Sequence, residues 1–248
     1  MRLPPLGRRA RRLTIITAVV ALVLPLSGFG LSALANSRTF QLFGDLTDRV
    51  ETDDRVVALT FDDGPDPAGT RPLLDVLARE GVRATFYLTG RELAAHPALG
   101  AAIAGAGHEI GNHSYSHERM VFVSPDRVAE EVERTDALIR ATGYAGEITF
   151  RPPNGKKLLA LPKYLAEHGR RTVMWDVEPD SGPDLPASAD ELARRTADEV
   201  RPGSIVLLHG MYPGRALTRD ALGPAVERLR ERGYRFATVS ELLAHPET

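Results

Sequence analysis

The chain has 248 residues, with 31 lysines and arginines against 33 acidic residues and no cysteine. Without cysteine there is neither a disulfide framework nor a thiolate metal centre. Five of the basic residues and none of the acidic ones fall within residues 1–35, so the remainder has 26 basic against 33 acidic residues, a formal −7, which argues against nucleic acid as a partner.

In chain order, Arg2, Arg8, Arg9, Arg11 and Arg12 precede an apolar run from Ile15 to Leu34, the arrangement of an export signal. Ala33-Leu34-Ala35 places small residues where a signal peptidase reads, so cleavage before Asn36 is expected. The rival is an uncleaved anchor, since the run approaches the ~20 apolar residues that span a bilayer. Residues 36–53 read as a polar linker, with room for one short helix. Residues 54–245 read as a single domain of ordinary size.

Short β-branched runs then alternate with stretches of helical period. Val56–Phe61, Ala84–Leu88, Glu109–Asn112, Ile148–Arg151, Thr172–Trp175, Ser204–Leu208 and Arg235–Val239 read as strands. Helices are expected over 70–80, 96–106, 124–142, 157–168, 188–200, 219–232 and 240–244. The clearest begins with Ser124 as cap and Pro125 in the first turn, repeats Val128, Val132, Thr135 and Ile139 on one face, and stops at Gly143. Seven strands with intervening helices predict an α/β fold with a parallel sheet. A distorted (β/α) barrel fits better than an open doubly wound sheet: the position after the first strand holds Asp-Asp-Gly-Pro rather than a glycine-rich phosphate loop.

The polar clusters follow strand ends, where such barrels place their chemistry. In Thr60-Phe61-Asp62-Asp63-Gly64-Pro65, adjacent carboxylates at the end of an apolar strand need a cation nearby. Their side chains should project to opposite sides, one toward a metal and the other toward its water. As a fragment alone, the same stretch is also an ordinary turn. In His113-Ser114-Tyr115-Ser116-His117, histidines four apart share one side of a helical turn and can reach one cation. With Asp63 they make two imidazoles and one carboxylate, leaving coordination positions open.

Thr60–Pro65, His113–His117, Arg151-Pro152-Pro153 and Leu207-Leu208-His209 occur in the order and spacing of the polysaccharide deacetylases. The chain thus resembles the NodB-homology enzymes of carbohydrate esterase family four over residues 55–243. The resemblance implies a metal-dependent hydrolase that removes acetyl from an N-acetylated glycan. In it Asp62 is the general base, Asp63, His113 and His117 hold the metal, and Arg151 keeps Asp62 ionised. Asn154, standing where the family commonly has tyrosine, offers its backbone N–H to the oxyanion. His209 protonates the leaving amine, and Leu207 lines the pocket for the acetyl methyl. The metal implied is zinc, with cobalt or nickel as alternatives.

The family usually shows an aspartate followed by tryptophan where this chain has Trp175-Asp176-Val177-Glu178-Pro179-Asp180. Glu178 and Asp180 are both candidates to tune His209, while Trp175 reads as core. Lys156-Lys157 reads as a solvated loop, with contact to an acidic glycan as the alternative. The expected partner is an N-acetylated glycan met outside the cytoplasm by a monomer, with membrane contact only through an uncleaved 1–35. The competing functions are a small-amide or O-acetyl-ester deacylase on the same metal site, and a carbohydrate-binding relic without turnover.

Overall fold

The computed structural model describes residues 27–245 together with Thr17, Ala21 and Val23. Most of the leader expected over 1–35 lies outside the described residues, among which no helix is long and apolar enough to cross a membrane.

In chain order the elements are β1 (Leu46–Thr47), β2 (Val56–Asp62), α1 (Thr70–Glu80), β3 (Thr85–Leu88), α2 (Gly90–Ala95), α3 (Pro97–Gly105), β4 (Glu109–Asn112) and α4 (Pro125–Ala141). A 3-10 turn (Pro153–Gly155), α5 (Ala160–Glu167), β5 (Thr172–Val173), α6 (Ala189–Glu199) and β6 (Ile205–Leu208) come next, followed by a second 3-10 turn (Pro213–Arg215), α7 (Ala216–Glu231), β7 (Arg235–Ala237) and α8 (Val239–Leu243). All strand pairings are parallel. β2 is central, with β6 on one edge and β7 then β3 on the other, and β4 lies beyond β3. Single bridges from Phe150 to Asn112 and to Thr172, and from Val177 to Val206, carry the circuit onward to the β1–β5 pair. This is the distorted (β/α) barrel.

Strand alternation sorts the side chains. Val57, Leu59 and Phe61 face outward and pack with Leu73, Leu77, Ile103, Ile139 and Val226 of the helices. Val56 and Ala58 face inward with Tyr87, Val173, Met174, Trp175, Ile205 and Leu207. Extending the same parity to the strand ends brings Thr60 and Asp62, Gly111 and His113, and Leu207 and His209 to the barrel interior. Gly111 is glycine because a Cβ there would lie 2.4 Å from the Tyr87 ring.

Several expected boundaries move, each for a local reason. The helix expected over 96–106 forms as α3, and α2, which was not expected, precedes it; the two stay separate because Pro97 starts α3 and His96, at φ −132° and ψ 56°, is held out of the helical region. The strand expected at Ile148–Arg151 reduces to the Phe150 bridges: the next residues, Pro152 and Pro153, have no N–H for a ladder. The segment 36–53, expected as a linker, contributes β1, and its Val50 N–H donates to the Gly203 carbonyl at 3.0 Å. α4 forms as expected, with the Ser124 hydroxyl accepting from the Arg127 N–H, and its buried face adds Glu131 to the expected residues.

Candidate active site

At the mouth of the barrel, the ends of β2, β4 and β6 and the segment after Phe150 meet. The cavity there holds about 670 Å³ and is lined by Asp62, Asp63, His113, His117, Leu207 and His209.

Asp62 ends β2, and Asp63 follows at φ 72°. That left-handed turn corrects the expectation of opposite projection, because both carboxylates face one imidazole. His113 Nε2 lies 3.6 Å from Asp62 Oδ2 and 3.8 Å from Asp63 Oδ1, and His117 Nε2 lies 3.2 Å from Asp63 Oδ1. One ligand atom from each of Asp63, His113 and His117 falls within 4.8 Å of the others. His113 Nδ1 sits 2.8 Å from the Arg151 carbonyl. A carbonyl can only accept, so Nδ1 carries the proton and Nε2 keeps its lone pair toward Asp63. Burial pushes the His113 pKa down to about 3, which also favours the neutral ring. Two imidazole nitrogens and a carboxylate fit a divalent cation such as zinc.

The two histidines meet without the expected helical turn. His113 follows β4 directly, and Ser114 and His117 adopt φ of 63° and 60°. Two residues brace this loop that pattern reading did not single out. Asn112 Oδ1 accepts from the Ser114 N–H at 2.8 Å. Glu131, fully buried on α4, accepts from the N–H groups of Tyr115 and Ser116 at 2.9 and 2.8 Å. The available signal was an acidic residue inside the apolar stripe between Val128 and Val132.

Arg151 is fully buried beside Asp62. Its Nη1 donates to Asp62 Oδ1 and to Thr60 Oγ1, both at 2.6 Å, and its Nη2 donates to the Met174 carbonyl at 2.9 Å. The guanidinium also lies 4.0 Å from the Tyr87 ring centre. Burial raises the Asp62 pKa, and the Arg151 charge and hydrogen bond oppose that rise. A carboxylate more basic than usual but still paired suits proton acceptance. Arg151→Ala leaves this carboxylate uncompensated, so unfolding in urea should show a loss of about 3–5 kcal/mol; an unchanged midpoint contradicts the pairing.

His209 follows β6, and its partner is Asp180. Asp180 Oδ1 lies 3.1 Å from His209 Nδ1, and Oδ2 accepts from the His209 backbone N–H at 2.7 Å and from Thr218 Oγ1 at 3.0 Å. Burial alone lowers the His209 pKa, but the hydrogen bond and charge of Asp180, aided by Asp62 and Asp63, outweigh it and raise it. For Asp180 burial works upward, and the His209 contacts overcome it. Glu178, the other candidate, does not reach His209: it accepts from Trp175 Nε1 at 2.8 Å and pairs with Arg38 at 2.5 Å. Asp180→Asn should move the alkaline limb of the activity profile to lower pH, because His209 then loses its proton sooner. A limb that stays in place rules out this partnership.

Asn154 is exposed on the cavity rim at φ 55°. Asparagine tolerates that left-handed conformation better than most residues. Its N–H has no acceptor among the described residues. Leu207 is buried on β6 and lines the cavity, as does Trp175. Pattern reading missed Asn36 and Arg38, which reach the same cavity from the start of the segment 36–53. Of the two lysines expected on a solvated loop, Lys157 is buried: its side chain donates to the Ser37 carbonyl, and burial lowers its pKa to about 8. Lys156 lines the cavity.

Residues 49–173 match the family model described as polysaccharide deacetylase. A peptidoglycan-N-acetylglucosamine deacetylase of Bacillus cereus is 33% identical over 203 residues, covering 82% of this chain and 94% of that protein. Among solved structures, a family 4 carbohydrate esterase from Streptomyces lividans in complex with acetate is similar with a TM-score of 0.66 and 32% identity, over 74% of this chain and 91% of that one. A family 4 pseudoenzyme from Bacillus anthracis is similar with a TM-score of 0.69 and 30% identity, over 81% and 68% respectively.

Proposed function

The chain belongs to the polysaccharide deacetylase family, and from that premise we propose that this cavity releases acetate from an N-acetylated glycan of the bacterial envelope, with Asp62 and His209 as its acid–base pair. The enzyme hydrolyses the acetamide C–N bond of an N-acetylated polysaccharide. The observation that carries the assignment of roles is that Asp62 and His209 line one cavity with Asp63, His113 and His117.

An acetamide is a poor electrophile and neutral water a poor nucleophile. A divalent cation, zinc in our reading, held by Asp63, His113 and His117 would polarise the carbonyl and acidify a water. Asp62 has Oδ1 committed to Arg151, so Oδ2 is the atom that accepts the water proton. Arg151 acts through Asp62, holding it in place and ionised. The Asn154 N–H is the donor for the oxygen that becomes negative, a type of contact worth about 2.7–4 kcal/mol in transition-state stabilisation. His209 has Nδ1 turned to Asp180, so Nε2 carries the proton given to the leaving amine. Leu207 supplies an apolar wall for the acetyl methyl.

All these groups come from one chain, so a monomer suffices. Export under the leader 1–35, as signal or anchor, would bring the enzyme to its glycan; cobalt or nickel would suit the same ligands. The pseudoenzyme neighbour makes a silent relic the reading to exclude, and the presence of both Asp62 and His209 favours turnover. Incubating the zinc-loaded protein with peptidoglycan strands, chitin oligomers and an acetylated exopolysaccharide should release acetate from at least one. No acetate from any of them, with cobalt and nickel also tried, would refute the proposal.

A further inference from the structure

We propose that the face around the root of the leader, formed by Phe40, Leu42, Phe43, Phe122 and Leu159, lies against a lipid bilayer and sets the catalytic cavity at its surface. Beyond residue 35, seven large apolar side chains are exposed among the described residues, and these are five of them. Phe122 is the most exposed, at 85%. Single apolar side chains scattered over a surface need no explanation, but a concentration of them marks a partner.

The five are distant in sequence and are brought together by the backbone at Lys157. Its N–H donates to the Ala35 carbonyl at 3.2 Å, and its ammonium donates to the Ser37 carbonyl. Lys157 also forms a parallel bridge with Met120, and Phe122 and Leu159 each stand two residues beyond that bridge. The Ser37 hydroxyl accepts from the Phe40 N–H at 3.0 Å. From there the chain runs through Leu42 and Phe43 to Gly44, which packs against Ala166 of α5, and α5 starts directly after Leu159. The leader thus joins the domain among these five side chains.

The chain itself indicates what covers them. Residues 27–36 are helical, and Phe29 and Leu31 within them are exposed rather than packed on the domain. The end of the apolar run and the five side chains therefore lie side by side without covering each other. One apolar medium satisfies both, and for a run of export-signal type that medium is the bilayer. Residues 36–248 carry a formal −7, from 26 basic and 33 acidic residues, so the attraction is apolar and zwitterionic lipid suffices. Asn36, Arg38 and Lys156 line the catalytic cavity and adjoin this face in the chain. On the deacetylase reading, the enzyme then meets its glycan beside the lipid surface.

The test places a tryptophan probe in the full chain by Phe122→Trp or Leu159→Trp, with Leu217→Trp as reference. Leu217 is exposed on α7, which packs on α6 and α1. The protein is floated with phosphatidylcholine vesicles, so that only bound protein is read, and thermal unfolding checks each variant's fold. With bromine on the acyl chains, emission from Phe122→Trp and Leu159→Trp should be largely lost once the wild-type Trp175 signal is subtracted, while emission from Leu217→Trp persists. Quenching no greater than at Leu217→Trp, or failure of the chain to float, would overturn the proposal. Among unquenched results, a dimer that Phe122→Asp dissociates would assign the face to a second copy, and blue-shifted emission in a monomer would assign it to the leader. The readout involves no turnover, so it fails or succeeds separately from the deacetylase reading, which acetate release decides.

Discussion

Asp62→Asn should lower kcat for acetate release by about 10²–10⁴-fold, the range for loss of a positioned general base, while leaving bound metal and KM near their wild-type values. The substitution keeps an oxygen for Arg151 Nη1, which lies 2.6 Å from Asp62 Oδ1, but removes the basic Oδ2 that faces the cavity. The acid limb of the wild-type pH profile is expected above the ordinary aspartate range. Burial raises the Asp62 pKa, so the carboxylate takes up its proton, and stops acting as a base, at a higher pH than an exposed one. Asp62 and His209 lie in each other's field, so the two limbs belong to the pair rather than to either residue alone. Acetate release by Asp62→Asn at the wild-type rate would remove Asp62 from the base role.

Prolonged chelation should abolish turnover, and added zinc should restore it. His113→Ala should do the same without recovery, since it deletes the most buried of the proposed ligands, with a side chain 3% exposed. The variant must be shown to fold, because His113 Nδ1 also contacts the Arg151 carbonyl; a thermal transition in the apo protein provides that control. Activity that survives chelation with no metal remaining would end the metal-dependent account.

The fold was readable where patterns are local and strong. The alternation of apolar runs and helical periods gave the barrel, and Ser124-Pro125 gave the start of α4. Residues at strand ends were readable as well, because parity along β2 and β6 sends Asp62 and His209 inward. Reading failed where the backbone leaves regular structure. Nothing local shows that Asp63, Ser114, His117 and Asn154 adopt positive φ, and that geometry is what turns Asp63 toward His113 and joins the histidines without a helix. Choosing between Glu178 and Asp180 required knowing that Arg38 and Trp175 already occupy Glu178, a contact spanning 140 positions in the chain. Of the cations at the rim, Lys156 reads as a loop residue with an acidic glycan as the alternative, whereas Arg38 and Arg215 escaped because they share no motif with the site and reach it only in space.

The most direct measurement is metal stoichiometry joined to X-ray absorption at the zinc edge, on the wild type and on Asp63→Ala and His117→Ala. The account predicts one ion per chain with nitrogen and oxygen ligands at about 2.0–2.2 Å, and sharply weakened binding in both variants. A full equivalent of tightly held zinc in either variant, with an unaltered ligand shell, would contradict it.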